Sequence, residues 1–280
     1  MALISCLSMS GPGSTSGSSP GKALRCRNRF CLLLVVAICA GCARLLVPAV
    51  SEKPPAPSLE LAKLRERSES WRDYQCKFRM RVDSKNSKFS SRALILEKEP
   101  NFVRFETFTP LGQTAALYVS NETGPLLMIP SQRAIFTAKR PETLAREFLG
   151  IDLPVDLFLW LLTASVPPEQ LDHIESSLEA GVWHLISTSA STCFEWQISA
   201  HPPALQGLLV RSTGFEGRVS YDPPVLLTKD AVPDKILISS SEWSLEISLE
   251  ALMPAPQFRP SIFYLPNLPN VQKVDLDKIK

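Results

Sequence analysis

The thiol of Cys42 is the side chain in this chain with the clearest chemistry to perform. It stands directly after Ala40-Gly41, at the end of an apolar run over residues 30–41, and Arg25, Arg27 and Arg29 precede that run. A basic segment, about twelve apolar residues and small residues at a cut make a secretory signal, too short to cross a bilayer as a helix. A cysteine at the first position after such a cut is the pattern of a bacterial lipobox. Its sulfur accepts a diacylglyceryl group, and cleavage then leaves that cysteine as the first residue. Cys42 is therefore the expected lipidation site. Cys39 occupies the position three before the cut, where leucine is usual, so an ordinary cleaved signal is the next reading and an uncleaved anchor the last. Residues 1–24 are rich in Gly and Ser and carry no acid, which a start at a later methionine such as Met9 would explain.

Other groups that could do chemistry are scattered. The three histidines, His173, His184 and His201, fall in no metal-ligand spacing, and neither Cys76 nor Cys193 has a second cysteine beside it. The sequence contains no nucleophile elbow, no phosphate-cradling glycine loop and no dinucleotide fingerprint. His184 reads as a sheet-face histidine, and Glu147, Asp152 and Asp156 read as solvated charges near helix ends. Neither an enzyme nor a metal or cofactor site is predicted. With Cys42 acylated, Cys76 and Cys193 can form one disulfide in an oxidising compartment or stay as two separate thiols.

Net charge excludes one class of partner. Loss of residues 1–41 removes Lys22, Arg25, Arg27 and Arg29 and no acid, which turns the formal charge from +2 to −2. The apparent basicity belongs to the signal, and nucleic acid is not an expected partner, because phosphate backbones need a concentrated basic face.

The elements that would position any site follow in order. Residues 42–58 read as a lipidated, proline-rich tether, with Pro48, Pro54, Pro55 and Pro57 favouring an extended spacer. A helix of roughly four turns is predicted from Ser58, which can cap it, through Leu59, Leu61, Leu64 and Trp71. Period-two alternation then predicts a strand at 77–82, and turn signals and hairpin-length connections mark further short strands at 89–98, 101–108, 113–120, 126–129 and 133–138. Two short helices are marked by Pro141 with Gly150 and by Pro154. Strands resume at 183–187, 194–199, 208–212, 217–221, 235–239 and 242–250. The expected fold is α+β: a curved antiparallel sheet of about eleven strands forming a half-barrel over 59–252, with helices at its open side. A Pro/aromatic extension over 253–280 wraps the barrel or docks a partner. The apolar strand faces either fill a core or line a cavity for lipid tails, in which each buried methylene contributes about 0.8 kcal/mol.

A family resemblance joins these features. The segment FETFTPLGQTAALYV at 105–119 resembles LolB, as does LAREFLGIDLP at 144–154 followed by LFLWLL at 157–162. The likeness extends over about residues 71–249 and includes the lipobox. It implies an outer-membrane-anchored lipoprotein that accepts lipoproteins from a LolA-like periplasmic carrier, takes up their acyl chains and helps insert them into the membrane. The leucine of the family's Pro-Leu-Gly turn projects from the half-barrel, and Leu111 matches it. Phe78, Phe105, Trp243, Leu245 and Ile247 are the candidate cavity residues, from alternation. Ala43 after Cys42, in place of an aspartate, agrees with outer-membrane sorting. A lipid-anchored assembly subunit that uses the same fold to dock proteins is the alternative.

Overall fold

Alternation of polar and apolar residues on one strand after another demands a sheet with one covered face. The computed structural model describes residues 57–278 other than 86–87, 99, 101, 190–191, 213–214, 255–256 and 268. The signal, Cys42 and nearly all of the tether lie outside these described residues. The first half of the sheet comprises β1 (Tyr74–Ser84), β2 (Lys88–Lys98), β3 (Phe102–Phe108), β4 (Thr114–Ser120), β5 (Leu126–Ile129) and β6 (Ala134–Thr137). The second half comprises β7 (Ile174–Glu179), β8 (Val182–Ser189), β9 (Thr192–Ala200), β10 (Pro203–Ser212), β11 (Phe215–Leu226), β12 (Lys235–Ser239) and β13 (Trp243–Pro254), and β14 (Gln272–Asp275) comes last.

These fourteen described strands form one sheet, in the order β14-β6-β5-β4-β3-β2-β1-β13-β12-β11-β10-β9-β8-β7. Every pairing is antiparallel except that of β14 with β6. The order has two ends, so the sheet curves without closing. It exceeds the expected count of about eleven because alternation marks neither β7 nor β14. β14 is a short polar segment that joins β6 as a parallel edge strand.

Three helices are described: α1 (Ser58–Ser70), α2 (Pro141–Leu149) and α3 (Val155–Leu162). None is long and apolar enough to cross a membrane. Ser58 is not the cap of α1: Pro57 occupies that position and no side chain caps the helix. The buried face of α1 is Leu64, Arg67 and Ser68, while Leu59 is exposed. α2 keeps the expected punctuation, with proline at its start and Gly150 closing it at φ 71°, where its N–H donates to Arg146 O at 2.9 Å.

The core lies between the covered face of the sheet and α3, which buries Leu157, Phe158, Leu159, Leu161 and Leu162. A smaller apolar cluster of Leu117, Val119 and Met128, with Leu265 against it, is separate from this core. The C-terminal segment is part of the packing. Phe263 is fully buried, its ring 5.6 Å from Phe102, and Asn121 Nδ2 donates to its carbonyl at 2.9 Å.

Gly207 marks a place where the sheet leaves no room. It sits at the register shift of β10 against both neighbours, and an added Cβ would lie 2.4 Å from the Val219 carbonyl oxygen. The obstructing atom is backbone and cannot swing aside. Gly207→Ala is expected to destabilise the domain by about 2 kcal/mol or more, measured by urea denaturation, whereas alanine at an unobstructed strand glycine costs nothing of this kind.

Candidate functional site

α2 and α3 lie across the sheet and leave a narrow apolar cavity of about 50 Å³ beneath them. The sheet contributes Ile95, Val103, Phe105, Tyr118, Leu127 and Leu245 to its walls. The helices and their connection contribute Leu144, Phe148, Leu149, Leu153, Phe158 and Leu159. Of the residues predicted from alternation, Phe105 and Leu245 border the cavity. Phe78 is fully buried and stacks on Phe105 at 6.2 Å with an 8° interplanar angle, and its edge meets Phe158 at 6.2 Å. Trp243 and Ile247 are buried in the core away from the cavity wall. Alternation assigns a residue to a face but cannot say which part of that face a helix covers.

The lining is almost wholly apolar. Its one phenol, Tyr118, is pushed up to about 12 by burial and stays neutral at physiological pH. A cavity of this size holds little more than a few waters, whereas pockets for small molecules run to about 300–1,000 Å³. The arrangement is a narrow one: its walls would have to move apart before a long apolar ligand could be accommodated.

What fixes α3 in this position is a set of polar groups that sequence reading missed. The last carbonyls of a helix have no partner within it. Here Tyr74 Oη donates to Leu159 O at 3.0 Å and Tyr221 Oη to Leu161 O at 3.3 Å. Arg67 of α1 is fully buried; it donates to Thr163 O, to Ala164 O at 2.9 Å and to Thr228 O at 2.7 Å. Ser68 Oγ adds a bond to Val166 O at 2.6 Å. Burial lowers the Arg67 pKa to about 10, so the guanidinium is charged at neutral pH. Nothing in the local sequence distinguishes Arg67 from its exposed neighbours Arg65 and Glu66.

The second feature is the β3–β4 hairpin. Thr109 N–H donates to Gln113 O at 2.8 Å, and Gly112 N–H donates to Thr109 O at 2.9 Å, leaving Pro110, Leu111 and Gly112 as a three-residue loop. Gly112 takes φ +80°, the left-handed position such a loop needs. Leu111 at the apex is 88% exposed, the most exposed large apolar side chain among the described residues.

The remaining candidates assemble no centre. His184 Nδ1 lies 3.0 Å from Glu195 Oε1 across β8 and β9. Asp152 pairs with Arg146 at 3.1 Å, and Asp156 is exposed in the first turn of α3. Among the described residues no group of three potential metal ligands comes together. Cys76 on β1 and Cys193 on β9 are free thiols, separated by β13, β12, β11 and β10 in the sheet and so far beyond disulfide reach. Burial pushes the Cys76 thiol up to about 12 and leaves it inert.

Residues 72–200 match the family model described as LolB, outer membrane lipoprotein LolB. That span includes the Leu111 loop, α2 and α3, and it ends with β9. No protein with a curated description matches the chain significantly. Among solved structures it is similar to a DUF1329 family protein from Desulfovibrio piger, at 7% identity and TM-score 0.50, covering 74% of this chain and 96% of that one. A LolA superfamily protein from Nitrosomonas europaea aligns at 11% identity and TM-score 0.44, covering 74% of this chain and 97% of the other. At 7% identity the likeness to the Desulfovibrio piger protein is one of fold alone.

Proposed function

We propose that this LolB-like chain is an outer-membrane lipoprotein that takes lipoproteins from a LolA-like periplasmic carrier and passes them to the membrane. The observation that carries the reading is the pairing of an apolar cavity under α2 and α3 with an exposed leucine on the β3–β4 hairpin, the leucine and every cavity-lining residue but Leu245 falling within the LolB-matching span. Cys42 would carry the acyl chains of the anchor, and two or more chains make attachment stable. The incoming acyl chains would displace α2 and occupy the space between it and the sheet. No covalent step is needed. Transfer runs down a gradient of apolar affinity from carrier to receptor to bilayer.

The small size of the cavity favours one other reading, in which the same fold docks a protein partner and takes up no acyl chain. A direct transfer assay separates the two. Radiolabelled triacylated lipoprotein, loaded on its purified soluble carrier, is mixed with the lipid-anchored protein. The expected result is label moving to this protein at the expense of the carrier. A carrier shown to be loaded that gives up no label would overturn the receptor reading and leave the docking one.

A further inference from the structure

The outward face of the sheet is basic where it meets the Leu111 loop. Lys77, Arg79 and Arg81 are exposed at alternate positions of β1, and Arg92 of β2 is the direct cross-strand partner of Arg79. One carboxylate serves both arginines. Glu250 of β13 accepts from Arg79 Nε at 2.7 Å and lies 3.6 Å from Arg92 Nε. The bond from Arg79, helped by Arg92 and Lys77, holds the Glu250 carboxyl below the usual range. Neighbouring acids are already engaged: Glu246 with Lys235 at 2.8 Å and Asp83 with Lys88 at 3.0 Å. The face therefore keeps a positive excess, centred on two guanidiniums that share a single negative charge.

Arg79 and Arg92 also border an open groove of about 620 Å³. Ser90 and Ser91 line it, and Phe108, Thr109, Pro110 and Gly112 contribute the remaining wall, which is the base of the Leu111 loop itself. Both arginine side chains are well exposed, at 61% and 65%. The groove that the two arginines border is thus walled by the same loop that carries the exposed leucine at its apex.

We propose that this groove seats the phosphate of an anionic phospholipid headgroup when the loop enters the membrane. The inference rests on the membrane-contact reading of Leu111 and adds what the bilayer must offer. A leucine that reaches the acyl boundary brings the groups at the base of its loop to the level of the phosphates. Guanidinium forks match phosphate oxygens bidentately. A headgroup phosphate supplies the second negative charge that Glu250 alone does not. An acidic protein surface could satisfy the same charges, but it would give the apolar apex of the loop nothing to enter.

The test is co-sedimentation of the mature chain from residue 42, carrying Cys42→Ala so that neither the apolar, arginine-flanked signal nor an acyl anchor contributes, with vesicles of phosphatidylcholine alone or mixed with phosphatidylglycerol. Each cation near an anionic surface is worth about a factor of five, so Arg79→Gln with Arg92→Gln is expected to lower binding to the phosphatidylglycerol vesicles roughly thirty-fold. Binding to phosphatidylcholine should barely change. Glu250→Gln, which releases both guanidiniums, should raise phosphatidylglycerol binding, a gain that a misfolded variant would not show. Added salt should erase the preference. Leu111→Glu reports separately on the loop and should lower binding to both vesicle types. Equal binding of the unsubstituted groove to both compositions, still dependent on Leu111, overturns the headgroup site and leaves the loop reading standing. A phosphatidylglycerol preference that survives in the double variant also overturns the site. Binding that ignores Leu111→Glu overturns the loop reading, and the membrane-seated headgroup with it.

Discussion

Leu111→Glu is expected to leave the protein folded and able to accept cargo, but to cut delivery of that cargo into vesicles about a hundredfold or more. The side chain is 88% exposed, so its replacement removes no packing, and surface changes of this kind stay within about ±0.5 kcal/mol of stability. The loop geometry is set by Pro110, by Gly112 at φ +80° and by the Thr109–Gln113 bonds, none of which involves the leucine side chain. The effect falls on the membrane step. Moving a leucine from water into an apolar phase contributes about 1.5–3 kcal/mol, and a carboxylate there adds a penalty of its own. Together these exceed the roughly 2.7 kcal/mol that a hundredfold change requires. The measurement is the distribution of labelled lipoprotein between receptor and vesicles after transfer, with Leu111→Phe as a variant that should keep delivery. Cargo reaching vesicles at the wild-type rate from Leu111→Glu would remove the loop from the mechanism.

The loop was legible in the sequence because it is local. A Pro-Leu-Gly between two alternating runs specifies a hairpin, and a short hairpin leaves its middle residue outside. α2 was legible for the same reason, since Pro141 and Gly150 punctuate it within ten residues. The strands between 74 and 137 follow from the alternation of β1 and from the turn signals between the rest, with boundaries moved by a few residues. What was not legible depends on contacts between distant segments. The Gln272–Asp275 strand exists because the edge of β6 is available to it, not because its own residues favour a strand. The cavity is where α3 and α2 fail to fill the space over the sheet, so Leu245 reaches it while Ile247, two residues along the same face, does not. Cys76 and Cys193 could not be judged as a pair until the strand order put four strands between theirs. The basic groove combines both kinds of signal: the Lys77, Arg79, Arg81 alternation is plain in the sequence, but its junction with the Leu111 loop appears only once β1, β2 and β3 are side by side.

Arg67 is the extreme case, and it carries the largest stability effect. Arg67→Met should cost about 3–5 kcal/mol, seen as a lower midpoint in urea with little change in slope. Replacing a buried ion pair by apolar residues can be neutral when both charges go. That escape is closed here, because the partners are the carbonyls of Thr163, Ala164 and Thr228, which no side-chain substitution removes. Methionine would fill much of the volume yet leave acceptors buried without donors, and each such group costs about 1–3 kcal/mol. Arg67→Lys should recover part of the loss, since an ammonium can reach one or two of the oxygens but lacks the planar fork that serves three. Arg65→Ala is the matched control: its ion pair with Asp172 at 3.2 Å is exposed on both sides, and its removal should change stability by no more than about 0.5 kcal/mol. The consequence reaches the cavity. Tyr74 and Tyr221 hold the C-terminal end of α3 against the sheet and Arg67 ties it to α1, so α3 is a polar-anchored wall of the cavity. If α2 is the element that yields to an entering acyl chain, α3 must stay where it is. A mild Arg67→Lys variant should then bind an apolar fluorescent probe more weakly than wild type at temperatures where both are folded. Unchanged stability in Arg67→Met would mean that water reaches those carbonyls and that α3 is not anchored from α1.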